Sequence, residues 1–343
     1  MSTLELPQPY LLFLGEVDDP SFAKTGFGLA DWARERCVGE LAFGSGRVTT
    51  GLPRLTAAEA VAQGAKSVVI GVAPVGGSIA PDWVAALIEA LEAGLDIVSG
   101  MHGRLGDHPD LGPAAERLGR RLIDVRVPPK GLPVGTGLKR SGKRLLTVGT
   151  DCALGKKYTA LAIARAFNAR GVAADFRATG QTGILIAGAG IPMDAVISDF
   201  ASGAAELISP AAADDHWDVV EGQGSIYHPG YAGVTLALLH GSQPDVLVLC
   251  HKPDRTTILG RPEFPLPPLN AAIALYLQLA RLTNPDVRCA GISLNTGDLD
   301  DAAAEAAIAA VMVETGLPAA DPIRGGAAFD RLVDNCLTLD TVI

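Results

Sequence analysis

Short apolar runs alternate with amphipathic stretches along the first third of the chain. The runs have the length and the Val, Ile and Leu content of buried strands, and the stretches between them repeat apolar residues at helical spacing. Strands are predicted at residues 10–14, 67–72, 96–99 and 122–125, and helices at residues 56–63, 81–93 and 113–120. This alternation favours a parallel sheet with helices on both faces. No G-x-G-x-x-G follows the first run, so the pattern is Rossmann-like without the dinucleotide fingerprint.

A second alternating pattern follows a segment rich in Pro, Gly and Lys. It predicts strands at residues 144–148, 172–177, 218–221, 246–250 and 289–294, helices at residues 269–282 and 302–315, and a proline-rich loop at residues 262–268. The segment itself predicts an interdomain linker at residues 128–143. The chain is therefore expected to be an α/β protein with a Rossmann-like domain at residues 1–127 and a second α/β domain at residues 144–343.

The most informative stretch begins where the first strand of the second domain ends. RLLTVGTDCALGKKYT runs from an apolar strand, through a loop bounded by Gly149 and Gly155, to Lys156 and a helix. Loop N–H groups, the positive end of a helix and a lysine together attract phosphate. The standard motif is G-x-x-x-x-G-K-[ST], whereas this loop is one residue longer and Lys157 stands where a hydroxyl normally ligates Mg²⁺. The longer spacing, with Asp151 in third position, resembles the P-loop of dethiobiotin synthetase.

This stretch predicts a site for a phosphate-bearing ligand and weakens the case for Mg²⁺-dependent nucleotide chemistry. The predicted cofactor-binding residues are Gly149, Thr150, Asp151, Cys152, Ala153, Gly155, Lys156, Lys157, Tyr158 and Thr159. Asn295 joins them, because in dethiobiotin-synthetase-like proteins an Asn at the end of the last predicted strand contacts the base.

A carboxylate and a histidine follow the third predicted strand of the second domain. Glu221 ends that strand and opens the sequence Glu-Gly-Gln-Gly, which is similar to a dethiobiotin synthetase motif whose Glu serves the metal. His228 lies in the same Gly-rich loop and can act as an acid or a base near neutral pH. Glu221 and His228 are the predicted catalytic residues.

Cationic and polar side chains after two other strands suit an anionic substrate. Ligands of open α/β sheets bind at the carboxyl ends of the strands, where these residues are expected to lie. The predicted substrate-binding residues are Arg177, Gln181, Thr182, His251, Lys252 and Arg255.

Composition narrows the classes of function and partner. The formal net charge of −10 over 343 residues argues against a general nucleic-acid binder. The five scattered cysteines, without C-x-x-C, indicate neither a disulfide framework nor a zinc knuckle. Neither a signal peptide nor a membrane span is recognisable, so we expect a cytoplasmic protein with no membrane partner. The apolar helix at residues 269–282 suits a subunit interface as well as it suits a sheet face, and a homo-oligomer is expected.

Five motifs together resemble one family of bacterial proteins. They are GTDCALGKKYTA, RATGQTGILIAG, SDFASGAAE, VEGQGSIYHPGYAGVTLALLHG and VLCHKP. The family is the DUF1611 group, which includes DgcN-type D-glutamate N-acetyltransferases, and the resemblance covers nearly the whole chain. It implies a Rossmann-like N-terminal domain, a P-loop C-terminal domain, and acetyl transfer from acetyl-CoA to the amine of a D-amino acid, chiefly D-glutamate.

Acetyl transfer of this kind suggests a role for each group of residues. We expect either Glu221 or His228 to accept the ammonium proton, the N–H groups of residues 222–224 to be candidate oxyanion donors, and Arg177, Lys252 or Arg255 to bind the carboxylates. The phosphates of CoA bind without Mg²⁺, so no metal is expected.

Two alternatives stay open. One is an ATP- or GTP-dependent ligase or kinase of the dethiobiotin synthetase type, with Glu221 and Asp151 as metal-site acids. The other is a non-catalytic sensor of a nucleotide or CoA.

Overall fold

The computed structural model describes residues 4–44, 46–72, 79–101 and 103–338. The chain forms two compact units, and neither is one continuous run of sequence. The N-terminal unit comprises Ser2–Pro129 and Gln181–Ala195, and the C-terminal unit comprises Lys130–Gly180 and Val196–Ile343. The N-terminal unit thus takes in residues 181–195, which the sequence pattern assigned to the second domain.

Strands and helices alternate through the first part of the chain. The elements are β1 (Leu4–Glu5), β2 (Tyr10–Gly15), α1 (Lys24–Trp32), β3 (Cys37–Ala42), α2 (Ala57–Ala62), β4 (Ser67–Ile70), α3 (Pro81–Glu92), β5 (Asp96–Ser99), α4 (Leu111–Leu118) and β6 (Leu122–Asp124). All four strands and all three helices predicted for this part are confirmed, with small shifts at their ends. The sequence pattern missed β3 and α1, whose apolar residues are interrupted by Gly and charged residues.

The rest of the chain continues the alternation. The elements are β7 (Lys143–Gly149), α5 (Lys156–Ala169), β8 (Ala174–Arg177), α6 (Gln181–Ala187), β9 (Ala189–Gly190), α7 (Ser198–Ile208), β10 (Trp217–Val220), α8 (Ala232–Ser242), β11 (Val246–His251), β12 (Thr257–Ile258), β13 (Arg261–Pro265), α9 (Leu269–Ala280), β14 (Arg288–Leu294), α10 (Asp301–Thr315), β15 (Ala319–Ala320) and α11 (Gly326–Leu337). The five predicted strands are confirmed. The loop predicted at residues 262–268 is wrong in its first part, because β13 pairs with β12 in a small exposed ribbon where proline is tolerated.

The N-terminal unit is built on a five-stranded parallel sheet in the order β3-β2-β4-β5-β6. The strand β2 is buried along its whole length, and the chain continues to β3 on one side and to β4 on the other. The core of the N-terminal unit contains Leu11, Phe13, Val68 and Ile97, and the ring of Trp83 lies edge-on to that of Phe13. The segment β1 pairs with β9 in a separate two-stranded ribbon.

The C-terminal unit is built on a six-stranded parallel sheet in the order β15-β14-β11-β7-β10-β8. Leu145, Val219 and Val246 form its core together with the edge-on pair Phe167 and Trp217. Because the strands are parallel, the carboxyl ends of β7, β10, β11 and β14 meet at one edge, where ligands of such sheets bind. The predicted α/β class is confirmed for both units.

Within the described ranges, no helix has the length and apolar character needed to cross a bilayer.

Candidate functional site

The loop between β7 and α5 turns through two residues in the left-handed region of backbone space. Gly155, which precedes α5, has φ of 99°, and Ala153 has φ of 53°. An alanine in that region costs roughly 1–2 kcal/mol, and such strain clusters at functional loops. The turn delivers the first-turn amides of α5, which have no intrahelical acceptor, to the mouth of the loop. This is the geometry by which a strand–loop–helix unit binds phosphate.

The two lysines after Gly155 are both partly desolvated but differ in their contacts. Lys156 is 7% exposed, and its Nζ donates to the Asp151 carbonyl oxygen at 2.8 Å. The Nζ of Lys157 lies 4.3 Å from the centre of the Tyr158 ring. Burial lowers the pKa of both ammonium groups, and the nearby charge of Glu221 opposes this shift at Lys157. A cation removed from water in this way attracts an anion more strongly than one on the surface.

Asp151 anchors the loop from within. It is fully buried, and its Oδ1 accepts the Cys152 N–H at 2.6 Å. Its Oδ2 accepts the Leu259 N–H at 2.7 Å and Nη1 of Arg255 at 2.9 Å. Arg255 also donates to the Cys152 carbonyl oxygen at 2.7 Å. The predicted cofactor-binding acid and the predicted substrate-binding arginine are therefore partners that tie the loop to the segment after β11.

Glu221 lies at the carboxyl end of β10 and is 3% exposed. Its Oε2 accepts the N–H groups of Thr179 and Gly180 at 2.9 and 3.0 Å. Burial raises the pKa of the carboxyl group, whereas the bonds from Thr179 and the charge of Lys157 act in the opposite direction. A carboxyl group whose pKa is raised above its ordinary value is a stronger base than an exposed carboxylate.

Gly222 allows β10 and β7 to approach closely at this edge. A Cβ atom there would lie 1.7 Å from the Thr147 carbonyl oxygen, so no other residue fits. Its N–H donates to Oγ1 of Thr147 at 2.9 Å. The expectation that this amide is an oxyanion donor is therefore wrong, because it is already used within the protein.

Tyr276, on α9, links the Gly-rich loop after β10 to the loop between β7 and α5, residues 149–155, which we call the phosphate loop. Its hydroxyl donates to the Gly149 carbonyl oxygen at 2.7 Å and accepts the Ile226 N–H at 3.3 Å. Ser225 Oγ donates to the same carbonyl oxygen at 2.9 Å. Burial raises the pKa of Tyr276 to about 12, so the hydroxyl stays protonated. The sequence pattern missed Tyr276 because a lone aromatic residue in an apolar helix is indistinguishable from a core residue.

His228 is buried beside the phosphate loop and has two close partners. It is 5% exposed, stacks on Tyr231 at 4.4 Å between ring centres, and accepts the Gly230 N–H on Nδ1 at 3.1 Å. A ring nitrogen of His228, a carboxylate oxygen of Asp151 and Sγ of Cys152 lie within 4.8 Å of one another. A neutral imidazole whose Nδ1 accepts a hydrogen bond carries its proton on Nε2. In that tautomer, His228 offers a ligand a donor rather than a base.

The same three residues have the composition of a transition-metal site. However, both carboxylate oxygens of Asp151 already accept N–H groups. The guanidinium of Arg255 and the ammonium of Lys156 add positive charge at the same place. This donor set does not fit a cation.

Two predicted substrate-binding cations are already held by acids. Nε of Arg177 donates to Asp218 at 2.6 Å, and its Nη2 lies 3.0 Å from Asp175, so the side chain reaches back along the sheet. Nζ of Lys252 donates to Asp298 at 2.5 Å, and this bond raises the pKa of the lysine.

The other predicted substrate-binding residues lie in two different places. Nδ1 of His251 lies 3.0 Å from Oγ1 of Thr150, which brings this ring to the phosphate loop, and burial lowers its pKa. Gln181 and Thr182 begin α6, which belongs to the N-terminal unit, where Gln181 donates to Asp194 at 2.9 Å.

A cavity of about 420 Å³ opens beside the phosphate loop and contains the predicted adenine contact. Leu154, Tyr158 and Ile323 supply apolar walls, and Asn295 and Arg324 supply polar groups. Asn295 Oδ1 accepts the Gly297 N–H at 3.3 Å, which turns part of the amide inward to the protein. Apolar walls with a few polar groups suit a heteroaromatic ring. The sequence pattern missed the segment of Ile323 and Arg324, because a short turn after a two-residue strand carries no periodic signal.

The wall of the cavity is also fixed by a hydrogen bond between two hydroxyls. Oγ1 of Thr159, a predicted cofactor-binding residue, lies 2.7 Å from Oγ of Ser293 at the end of β14.

Comparisons with known proteins agree with this architecture. Residues 133–333 match the family model described as "Domain of unknown function (DUF1611_C) P-loop domain". Residues 36–128 match the one described as "Domain of unknown function (DUF1611_N) Rossmann-like domain". The chain belongs to the DUF1611 family. The expected Rossmann-like N-terminal domain and P-loop C-terminal domain are thereby confirmed.

Three similar proteins align with nearly the whole chain. A D-glutamate N-acetyltransferase of Tritonibacter scottomollicae is 50% identical over 326 residues, which cover 95% of this chain and 97% of the relative. A D-glutamate N-acetyltransferase of Pseudoalteromonas sp. is 45% identical over 332 residues, which cover 97% and 99%. The crystal structure of a DUF1611 family protein from Anabaena variabilis has a TM-score of 0.81 at 38% identity, and the match covers 96% of this chain and 98% of that one.

Proposed function

We propose that this member of the DUF1611 family is a D-glutamate N-acetyltransferase that takes its acetyl group from acetyl-CoA. Its near-full-length similarity to two relatives that bear the name of this activity carries the proposal. The arrangement of the C-terminal unit agrees with it in three respects: a site for phosphates, a cavity for a ring, and a buried carboxyl group.

In this proposal, the pyrophosphate and the adenine base of CoA bind at two neighbouring places in the C-terminal unit. The pyrophosphate lies against the loop from Gly149 to Gly155, where the amides of α5, Lys156 and Lys157 supply positive charge. The adenine ring lies in the cavity beside the loop, next to Asn295.

The reaction needs an uncharged amine, a thioester carbonyl held close to it, and a donor for the oxygen that gains charge. Glu221 takes the proton from the substrate ammonium, because it is the buried carboxyl group with a raised pKa at this edge. The amine then attacks the thioester carbonyl carbon, so the C–N bond forms and the C–S bond breaks. The second proton of the attacking nitrogen passes to the departing thiolate, and CoA leaves as the thiol. His228 donates through Nε2 to an oxygen of the acyl donor.

Among the predicted cations, Arg255 is the strongest candidate to bind a carboxylate of glutamate. Its contacts to Asp151 and Cys152 both use Nη1, whereas Arg177 and Lys252 are each shared by two acids. The fork of a guanidinium can hold a second carboxylate through its other N–H groups.

The proposal places the enzyme in the cytoplasm with its co-substrate. The five cysteines are free thiols, as is typical of proteins in a reducing compartment. A homo-oligomer remains a prediction.

The test is thiol release from acetyl-CoA with D-glutamate, with the product identified by mass. L-glutamate serves as the matched substrate control, and every reaction is run with and without EDTA. We expect turnover that depends on D-glutamate and persists in EDTA. Mg²⁺-dependent hydrolysis of ATP or GTP without thiol release would instead establish the nucleotide-dependent alternative, and CoA binding without any turnover would establish a sensor.

A further inference from the structure

The P-loop fold implies a magnesium ion beside the bound phosphates. In such proteins, a Ser or Thr hydroxyl after the loop lysine and an acid from a neighbouring strand hold the ion. The corresponding groups here are Lys157, at the hydroxyl position, and Glu221, at the end of β10.

These residues do not fit a magnesium ion. Lys157 contributes a positive charge where a neutral oxygen ligand is required. Oε2 of Glu221 already accepts two backbone N–H groups, from Thr179 and Gly180. Asp151, the other acid at the loop, has both oxygens engaged and is paired with Arg255.

We propose that the ammonium group of Lys157 takes the place of the metal ion and binds a phosphate of the acyl donor directly. The identity of that donor, acetyl-CoA, rests on the proposed function. Lys157 stands in the first turn of α5, beside the amides that face the anion site. The inference concerns which group supplies the positive charge, and it holds for any ligand with a pyrophosphate.

The surroundings of Lys157 call for an anionic ligand. Its side chain is half-buried, its Nζ lies 4.3 Å from the centre of the Tyr158 ring, and Glu221 acts on it through charge. Across the ranges that the structure describes, no carboxylate forms an ion pair with it, whereas Lys252 has two such partners. Because a partly desolvated cation gains from a close counter-charge, a bound phosphate would stabilise this arrangement.

A fixed ammonium group is better suited to binding the pyrophosphate of CoA than to binding a triphosphate. The pyrophosphate is a bridge between two esters, so it has no terminal γ-phosphate whose charge would need a divalent ion. The reaction also leaves the bridge intact, so no charge develops there that a metal would have to stabilise.

The experiment measures CoA binding by calorimetry, with Mg²⁺ and with EDTA, for the wild type and three variants. Lys157→Thr restores the hydroxyl, and Lys157→Met keeps a long apolar stem without charge. Lys66→Thr, at an exposed lysine of the N-terminal unit, is the matched control. Thermal unfolding of each variant separates loss of binding from loss of folding.

We expect wild-type binding that is the same in Mg²⁺ and in EDTA. The variants Lys157→Thr and Lys157→Met should each bind CoA about 10- to 100-fold more weakly than the wild type, because a charged hydrogen bond is lost. Mg²⁺ should restore the affinity of neither variant, because the acids at the loop stay engaged, and Lys66→Thr should behave as the wild type.

Wild-type binding that requires Mg²⁺, or a Lys157→Thr variant that binds normally, would overturn the inference. Mg²⁺ that restores CoA binding to Lys157→Thr would also overturn it, because the acids at the loop would then be free to hold a metal ion. ADP is titrated in parallel. If the wild type binds ADP but not CoA, the proposed function fails, and the same comparison of variants is read with ADP.

Discussion

Both units contain the same strand–loop–helix arrangement, but the charged residues in the two loops differ. In each unit, a buried strand inside a parallel sheet, β2 or β7, leads through a loop to a helix that begins with lysine. In each sheet the chain continues to both sides of that strand, which creates a crevice at its carboxyl end. Lys24 begins α1 and is exposed, whereas Lys156 begins α5 and is buried against its loop.

The loops differ in charge and in how their acids are held. The segment after β2 has Glu16, Asp18 and Asp19, which line a cavity of about 490 Å³, and an anion would be repelled there. The segment after β7 has one acid, Asp151, which is buried and neutralised by Arg255. Topology therefore supplies the crevice, and the placement of a few charges decides whether it accepts a phosphate.

The largest effect is expected from Glu221→Gln, which removes the proposed base and keeps the shape. We expect kcat to fall about 10²- to 10⁴-fold, with CoA affinity close to that of the wild type. Because the pKa of Glu221 is raised, the wild-type rate should increase as pH rises through that pKa, and the variant should lack this limb.

Glu40→Gln is the matched control for Glu221→Gln in the N-terminal unit. Glu40 is also fully buried, and its Oε2 accepts the N–H and the hydroxyl of Thr50. The control should lower stability but leave kcat per folded molecule unchanged. An active Glu221→Gln enzyme with an unchanged pH profile would exclude Glu221 as the base.

A second comparison concerns one acid from each loop, Asp151 and Asp18. Asp151→Asn breaks a buried pair and leaves Arg255 without its counter-charge, so we expect a loss of about 3 kcal/mol in the free energy of unfolding and weaker CoA binding. Asp18→Asn breaks an exposed pair with Arg47 and should cost less than about 1 kcal/mol. Denaturant unfolding measures both, and equal losses would contradict the account of Asp151 as a buried anchor.

A smaller effect is expected at two similar His-Pro turns. In each, Nδ1 of the histidine accepts the N–H two residues later, from Gly230 to His228 and from Asp110 to His108. If His228 is a donor through Nε2, His228→Ala should lower kcat/KM about 10-fold, because one hydrogen bond is lost.

The variant His228→Gln separates a donor from a base. The amide of Gln can place an N–H near the position of Nε2 but cannot accept a proton, so we expect it to recover most of the activity. His108→Ala should have no effect on kcat/KM. If His228→Gln is as inactive as His228→Ala and the acidic limb of the pH profile is lost in both, His228 is the base instead.

Much of the fold can be predicted from local sequence patterns, whereas the hydrogen bonds and ion pairs of the site cannot. The predicted strands were confirmed because parallel strands buried on both faces are continuous apolar runs. The phosphate loop was recognisable because Gly149, Gly155 and Lys156 lie close together in sequence.

The partners of the predicted residues come from distant segments. Asp151 contacts Arg255 and Leu259, and Gly149 contacts Tyr276, across more than 100 residues of sequence that the fold brings together. Residue types and spacing predict that such groups are near one edge. They do not predict which of them are already paired, as Arg177 is with Asp218.

The most direct test of the central claim, that the C-terminal crevice and not the N-terminal one holds the acyl donor, compares the two lysines that begin the helices. CoA binding is measured by calorimetry for the wild type, Lys156→Met and Lys24→Met, with folding checked by thermal unfolding. We expect Lys156→Met to lose affinity by about 100-fold and Lys24→Met to bind as the wild type. Normal CoA binding by a folded Lys156→Met variant, or a loss confined to Lys24→Met, would contradict the account.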